Sequence, residues 1–257
     1  MLKLIKFEFL RKRMMFAVSI ALVLIGQVYA IYKFFGIEAP VRAIIGQEVF
    51  AVYILIVLVA MAILYLIDII FLFRNDLFKQ EGYMLFMTPN SGYKILGAKL
   101  IFALIEGVAI VAFYLLLVFF NLKMMKLDVI NFEFFRISSE DLVLMIKGLL
   151  LGVFVLLEFA LTVYLSFALF KSIFNNIRFK GLITFFIFIA INVFKSQIMG
   201  VISDVINRSP EAIHISSSYF PVEMVNQALN YGLAATFVSA VILFMGTGYL
   251  LENRINL

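Results

Sequence analysis

Four polar side chains interrupt four long apolar runs: Gln27, Glu106, Glu158 and Asn192. In hydrocarbon such groups are costly unless paired or solvated, so they are candidates for a substrate path or a proton relay. Glu106 lies eleven residues past Ile95. At about 1.5 Å per residue this places it midway through a hydrocarbon core roughly 30 Å thick. Glu158 falls about halfway along a run that points the opposite way, and Gln27 and Asn192 reach similar depth. The four are expected to form one layer. Two carboxylates close together there do not both ionise easily, so one is expected to hold a proton. The plainer alternative is that each is an interhelical hydrogen-bond partner that holds a bundle together. Asp68, near the inner end of its run, is expected to pair with Arg74. Lys147 and Lys195 are expected to snorkel to the outer surface.

Other site chemistry is missing from the sequence. It has no GxxxxGK[ST] phosphate loop, no GxSxG, no HExxH and no glycine-rich dinucleotide fingerprint. Without Cys there is no thiol nucleophile, thiolate metal site or disulfide framework, and a lone His214 cannot build a histidine cluster. The chain is expected not to be an enzyme and to hold no cofactor or metal. Phosphate chemistry, if it drives this protein, must come from another chain.

The elements that position these residues follow from composition. Apolar residues make up 65% of the chain and charged residues only 14%, with a mean hydropathy of +1.10. A soluble domain carries roughly a quarter charged residues. The long continuous runs point to membrane helices rather than the short alternating segments of a barrel. The net charge of +5 does not indicate nucleic-acid binding, because the basic residues collect at the ends of apolar runs. Trp is absent, so Tyr and Phe must supply any interfacial belt.

The fold expected is an all-α integral membrane protein with six spans, over about 14–35, 49–73, 93–120, 142–170, 181–202 and 229–251. No repeat of fixed short period and no interdomain linker is visible, so 1–257 reads as one membrane domain. Residues 1–13, with Lys3, Lys6, Arg11, Lys12 and Arg13, read as a basic interfacial arm. Val28-Tyr29-Ala30 faintly resembles a cleavage site, but a retained first span is the expectation. Residues 203–228 read as a polar, turn-rich extracytosolic segment. Gly148 and Gly152 form a small-residue pair suited to close helix approach. Basic residues are more numerous in the arm, 74–99, 171–180 and the tail than on the other side, which puts both termini in the cytosol.

The polar stretch 74–99 separates the second and third runs. At about 100° per residue, Leu77, Phe78, Gly82, Met84 and Leu85 fall on one side, and Asp76, Lys79, Gln80 and Tyr83 on the other. The pattern predicts a short amphipathic helix over 76–88 in the membrane interface, ended by Pro89 and followed by the turn residues Asn90-Ser91-Gly92. Glu81 lies within the apolar sector, where a carboxylate is costly unless paired. It is either a snorkelling or hydrogen-bonded side chain in an ordinary loop or a contact for a soluble partner.

Glu81-Gly82-Tyr83, Leu85-Phe86, Pro89, Ser91 and Lys99, together with the topology, resemble the membrane subunits of bacterial type-2 ABC exporters of the short six-span type. The arm Leu2-Lys3-Leu4-Ile5-Lys6-Phe7-Glu8 is similar too. Asn90 departs from the small apolar residue often found after the Pro. The resemblance implies that 76–88 is a cytosolic coupling helix docked on a separate ATP-binding subunit, which carries the ATP and Mg. Its contacts would be Asp76, Leu77, Lys79, Gln80, Glu81, Gly82, Tyr83, Phe86 and Pro89. It further implies a second permease chain, identical or related, in a bacterial cytoplasmic membrane. Peptide antibiotics, lipids and drugs are the substrate classes it suggests. Glu81 is expected to pair with Arg11, Lys12 and Arg13. Two other function classes remain: a proton-coupled secondary transporter using Glu106 and Glu158, and a non-transporting scaffold or sensor subunit.

Overall fold

A computed structural model describes residues 2–36, 39–78, 91–124, 139–174, 179–207 and 222–253. These residues form six α-helices: α1 (Leu2–Phe35), α2 (Ala39–Phe78), α3 (Gly92–Met124), α4 (Ser139–Ile173), α5 (Lys180–Asn207) and α6 (Val222–Asn253). No strand occurs among the described residues. All six helices are long and apolar enough to cross a membrane. Lipid offers no hydrogen-bond partner, so an apolar run of this length must satisfy its backbone within a helix. The chain is therefore an all-helical, multi-pass membrane protein. Large apolar side chains such as Leu22, Ile25, Val28, Val108, Leu116 and Leu149 are exposed, as a lipid-facing surface requires.

The helices extend beyond the runs expected from hydropathy. Residues 2–13, expected as an interfacial arm, form the opening turns of α1, and Glu8 and Lys12 are buried there. Likewise, Asp76, Leu77 and Phe78 end α2 rather than opening a second helix. At 40 residues, α2 is about 60 Å long, twice the thickness of hydrocarbon. The remainder of the expected coupling helix lies outside the described residues. Of the segment 203–228, residues 203–207 continue α5 and 222–228 open α6, and the rest also lies outside. Ser91 starts α3: its carbonyl accepts from the amides of Lys94 and Ile95 at 3.0 and 3.2 Å, and its hydroxyl from Lys94 at 3.4 Å.

The described chain groups into two compact units. The first comprises Met1–Ile69 and Ala98–Arg136, hence α1, most of α2 and most of α3. Within it α1 and α3 run parallel, because successive pairings keep a constant offset: Lys12 to Glu106 and Gln27 to Asn121 are both 94 residues apart. Helix α2 runs antiparallel to α1. As α1 rises from Lys12 to Val23 to Phe34, its partners on α2 descend from Asp68 to Tyr53 to Phe50.

The second unit comprises Ile70–Gly97 and Ile137–Leu257. Here α4 and α6 are parallel, with Lys147 to Asn226 and Glu158 to Ser239 offset by 79 and 81. Helix α5 is antiparallel to α4, with Phe188 against Phe159 and Lys195 against Glu158. The end of α2 packs on α4 through Phe73 stacked on Tyr164, ring centroids 4.5 Å apart. Phe78 adds contacts with Phe167 and Phe170. The small polar side chains in these helices are satisfied locally: the hydroxyls of Thr162, Ser166 and Thr247 each donate to the carbonyl four residues earlier.

Gly148 and Gly152 do not mediate close packing, since an added Cβ would meet nothing within 4 Å at either position. Gly92 is a tight glycine against backbone, where a Cβ would stand 2.8 Å from Leu251 Cβ and 3.2 Å from the Glu252 amide nitrogen and the Gly248 carbonyl oxygen; Gly107 and Gly248 lie close against the Tyr65 and Tyr93 side chains. Gly92→Ala should therefore push α6 away from α3 and cost about 1–3 kcal/mol. Gly152→Ala should be neutral or gain up to about 1 kcal/mol from helix propensity. Thermal unfolding in mild detergent checks this contrast, and equal midpoints for the two variants would contradict it.

Candidate functional site

In the first unit, the polar residues that sequence placed on separate elements converge on one buried cluster. Lys12 on α1 donates from Nζ to Oδ2 of Asp68 on α2 and, at 3.3 Å, to Oε2 of Glu106 on α3. All three side chains are buried. The Lys12 ammonium also lies 4.8 Å from the centre of the Phe102 ring, a cation–π distance. Toward the start of α1, Glu8 accepts from Lys99 Nζ at 2.8 Å and pairs with Arg11 at 2.5 Å. Arg11, Lys12 and Lys99 thus face Glu8, Asp68 and Glu106, three cations against three carboxylates. The balance is uneven along the cluster: Glu8 carries two cations, and Lys12 carries two carboxylates. Tyr65 extends the α2–α3 contact by donating to the Ala103 carbonyl at 2.9 Å.

Pairing decides these positions. An isolated charge in a low-dielectric interior costs several kcal/mol, and removing one partner of a buried pair costs about 3–5 kcal/mol. Asp68 therefore takes Lys12 rather than Arg74, whose guanidinium instead lies 5.5 Å over the Phe71 ring. Arg11 and Lys12 are engaged by Glu8, Asp68 and Glu106. Glu81, their expected partner, lies outside the described residues.

The single expected layer does not form. Gln27 donates to Asn121 Oδ1 at 2.7 Å, and Asn121 returns a bond to Gln27 Oε1 at 3.2 Å and another to the Leu117 carbonyl at 2.9 Å. This amide pair and the Lys12–Glu106 pair lie on the same two helices, separated along each by the same number of residues. At about 1.5 Å per residue the levels are roughly 22 Å apart. The reason is register: α1 begins at Leu2, so Lys12, not Gln27, stands level with Glu106.

Glu158 belongs to the second unit and has its own partners. Lys195 reaches its Oε1 at 2.8 Å, and the Ser239 hydroxyl donates to the same oxygen at 2.5 Å. Lys195 therefore neutralises a carboxylate rather than snorkelling alone, and Lys147 donates to Asn226. Asn192 is half-buried and donates to the Phe188 carbonyl of its own helix at 2.9 Å.

Of the expected partner-contact residues, Asp76 and Leu77 are described, and both are buried. Asp76 does not face outward as expected, because it lies in the last turn of a packed helix. Lys79, Gln80, Glu81, Gly82, Tyr83, Phe86 and Pro89 lie outside the described residues. The chain matches no protein-family model, no curated protein and no solved structure. The candidate site is thus defined by its geometry: a cluster of six ionisable side chains, five of them buried, joining three helices beside a cavity of about 510 Å³ within the same unit.

Sequence reasoning missed Glu8, Arg11, Lys12 and Lys99 as members of this site, and Asn121 as the partner of Gln27. A signal was present: Lys12 and Gln27 on α1 repeat the spacing of Glu106 and Asn121 on α3, as two parallel helices with complementary polar pairs require.

Lys12→Met should leave Asp68 and Glu106 buried without a cation and destabilise the protein by about 3–5 kcal/mol. Adding Asp68→Asn and Glu106→Gln should recover most of that loss, because the carboxylates would no longer need a partner. Unfolding midpoints of the single, double and triple variants measure the coupling. Additive losses across the series would show that the three groups do not act together.

Proposed function

We propose that this chain is the membrane-spanning permease subunit of an ATP-driven exporter, powered by a separate ATP-binding subunit. What carries the reading is a conjunction. Six helices long and apolar enough to span a membrane are combined with the sequence Glu81-Gly82-Tyr83, Pro89, Ser91 and Lys99 between and at the start of the helices that flank it. The absence of a nucleotide-binding motif fits a division of labour in which another chain binds ATP and Mg. Two permease chains and two ATPase chains would assemble in a bacterial cytoplasmic membrane, with both termini in the cytosol. The substrate would be amphipathic or hydrophobic.

A second reading, a proton-coupled transporter without an ATPase, is favoured by the buried ionisable groups Asp68 and Glu106 around Lys12. Glu106 pairs with Lys12, and Glu158 with Lys195.

Purification of the tagged chain from its host in mild detergent separates the two. A stoichiometric ATP-binding subunit is expected, lost when Gly82 and Tyr83 are replaced by bulky charged residues. Glu81→Gln should reduce substrate-stimulated ATP hydrolysis. A folded chain that purifies alone, with transport driven by a proton gradient and abolished by Glu106→Gln, would overturn the exporter reading.

A further inference from the structure

The cavity of about 510 Å³ lies among α1, α2 and α3 of the first unit. Its size suits a drug-sized ligand. Its walls are apolar and rich in rings, including Phe9, Phe16, Phe102 and Phe113. Asp68 and Glu106 also line it, each more than nine-tenths buried.

One ammonium, Lys12, serves both carboxyl groups, while Arg11 and Lys99 pair with Glu8. The wall therefore sets two carboxyl groups against one buried ammonium. Arg13 also lines the cavity, but its side chain is exposed. Aromatic faces attract a cation, the second carboxyl group beside one ammonium can ionise to pair with it, and apolar walls attract the body that carries it.

We propose that this cavity binds a hydrophobic cation, with its charge beside Asp68 and Glu106 and its apolar body against the phenylalanine walls. Calling that cation a transport substrate rests on the exporter reading; the binding does not.

The matched probes tetraphenylphosphonium and tetraphenylborate test this, since they have nearly the same shape and opposite charge. Equilibrium dialysis of the full chain in mild detergent should give one saturable phosphonium site per chain, at least tenfold tighter than any borate site. Combined Asp68→Asn and Glu106→Gln should weaken phosphonium binding at least tenfold, and Arg13→Gln should strengthen it. Should the double variant fail to fold, Ala109→Phe tests the same cavity from its wall: it keeps every charge and should remove binding while the protein still elutes as a single species. Equal binding of both probes, preference for the borate, or phosphonium binding unchanged by Ala109→Phe would overturn the proposal. Recovery of the ATP-binding subunit is scored in the same preparation. Phosphonium binding without that subunit leaves the cavity assignment standing and removes the exporter reading. The subunit without phosphonium binding removes only the cavity assignment.

Discussion

The ion pairs of Lys12 with Asp68 and Glu106 are the constraint on which the first unit depends. Helices in lipid gain little by exchanging apolar contacts with lipid for apolar contacts with each other. Leucine and phenylalanine surfaces alone would let α1, α2 and α3 slide or rotate with small penalties. Charges remove that freedom. A slip of one turn, about 5.4 Å, would separate Lys12 from both carboxylates and Lys99 from Glu8. The Gln27–Asn121 pair at the same offset fixes the far end of α1 against α3. Two polar clamps on parallel helices set register and rotation together, and the tyrosine bonds to the Val23 and Ala103 carbonyls tie α2 to both helices.

The second unit meets the same problem with fewer charges. Glu158 is neutralised by Lys195 and capped by Ser239, so one residue of α4 ties down both α5 and α6. Aromatic packing then carries more of the load, with Phe73 on Tyr164 and Phe154 on Phe237. The hydroxyls of Thr162, Ser166 and Thr247 bond to their own helix, which makes them nearly neutral to helix association.

The number and approximate centres of the six helices were legible in the sequence, because a run of some twenty apolar residues has only one way to satisfy its backbone in lipid. The ends were not. Hydropathy marks the lipid-compatible part of a helix, and the charged turns of α1 and α2 lie beyond it. Glu8 and Lys12 looked like surface residues because, taken singly, a charged side chain near a chain end belongs in water. Only the carboxylates and lysine on distant helices reverse that, and pairing across 56 to 94 residues leaves no local trace. The expected polar layer failed for a related reason. Depth was counted from the edge of each apolar run, whereas register is set by which charges can meet. Gly148 and Gly152 were a small-residue pair with no neighbour within 4 Å, while Gly92, Gly107 and Gly248, in no such pair, make close contacts.

The continuity of α2 and α3 bears on how the proposed exporter subunit would work. Each contributes residues to both units without a break in its helix, and the proposed coupling stretch lies between them in sequence. Asp68 lies ten residues before the end of α2, and Glu106 fourteen residues after the start of α3. Both hold the same lysine of α1. A displacement applied to the segment between α2 and α3 would reach Asp68 and Glu106 through helical backbone and would move α1 with them. It would arrive at the wall of the cavity, where those carboxylates stand. The cluster would then serve twice, as the joint that makes three helices move as one body and as the charged wall whose geometry that movement changes.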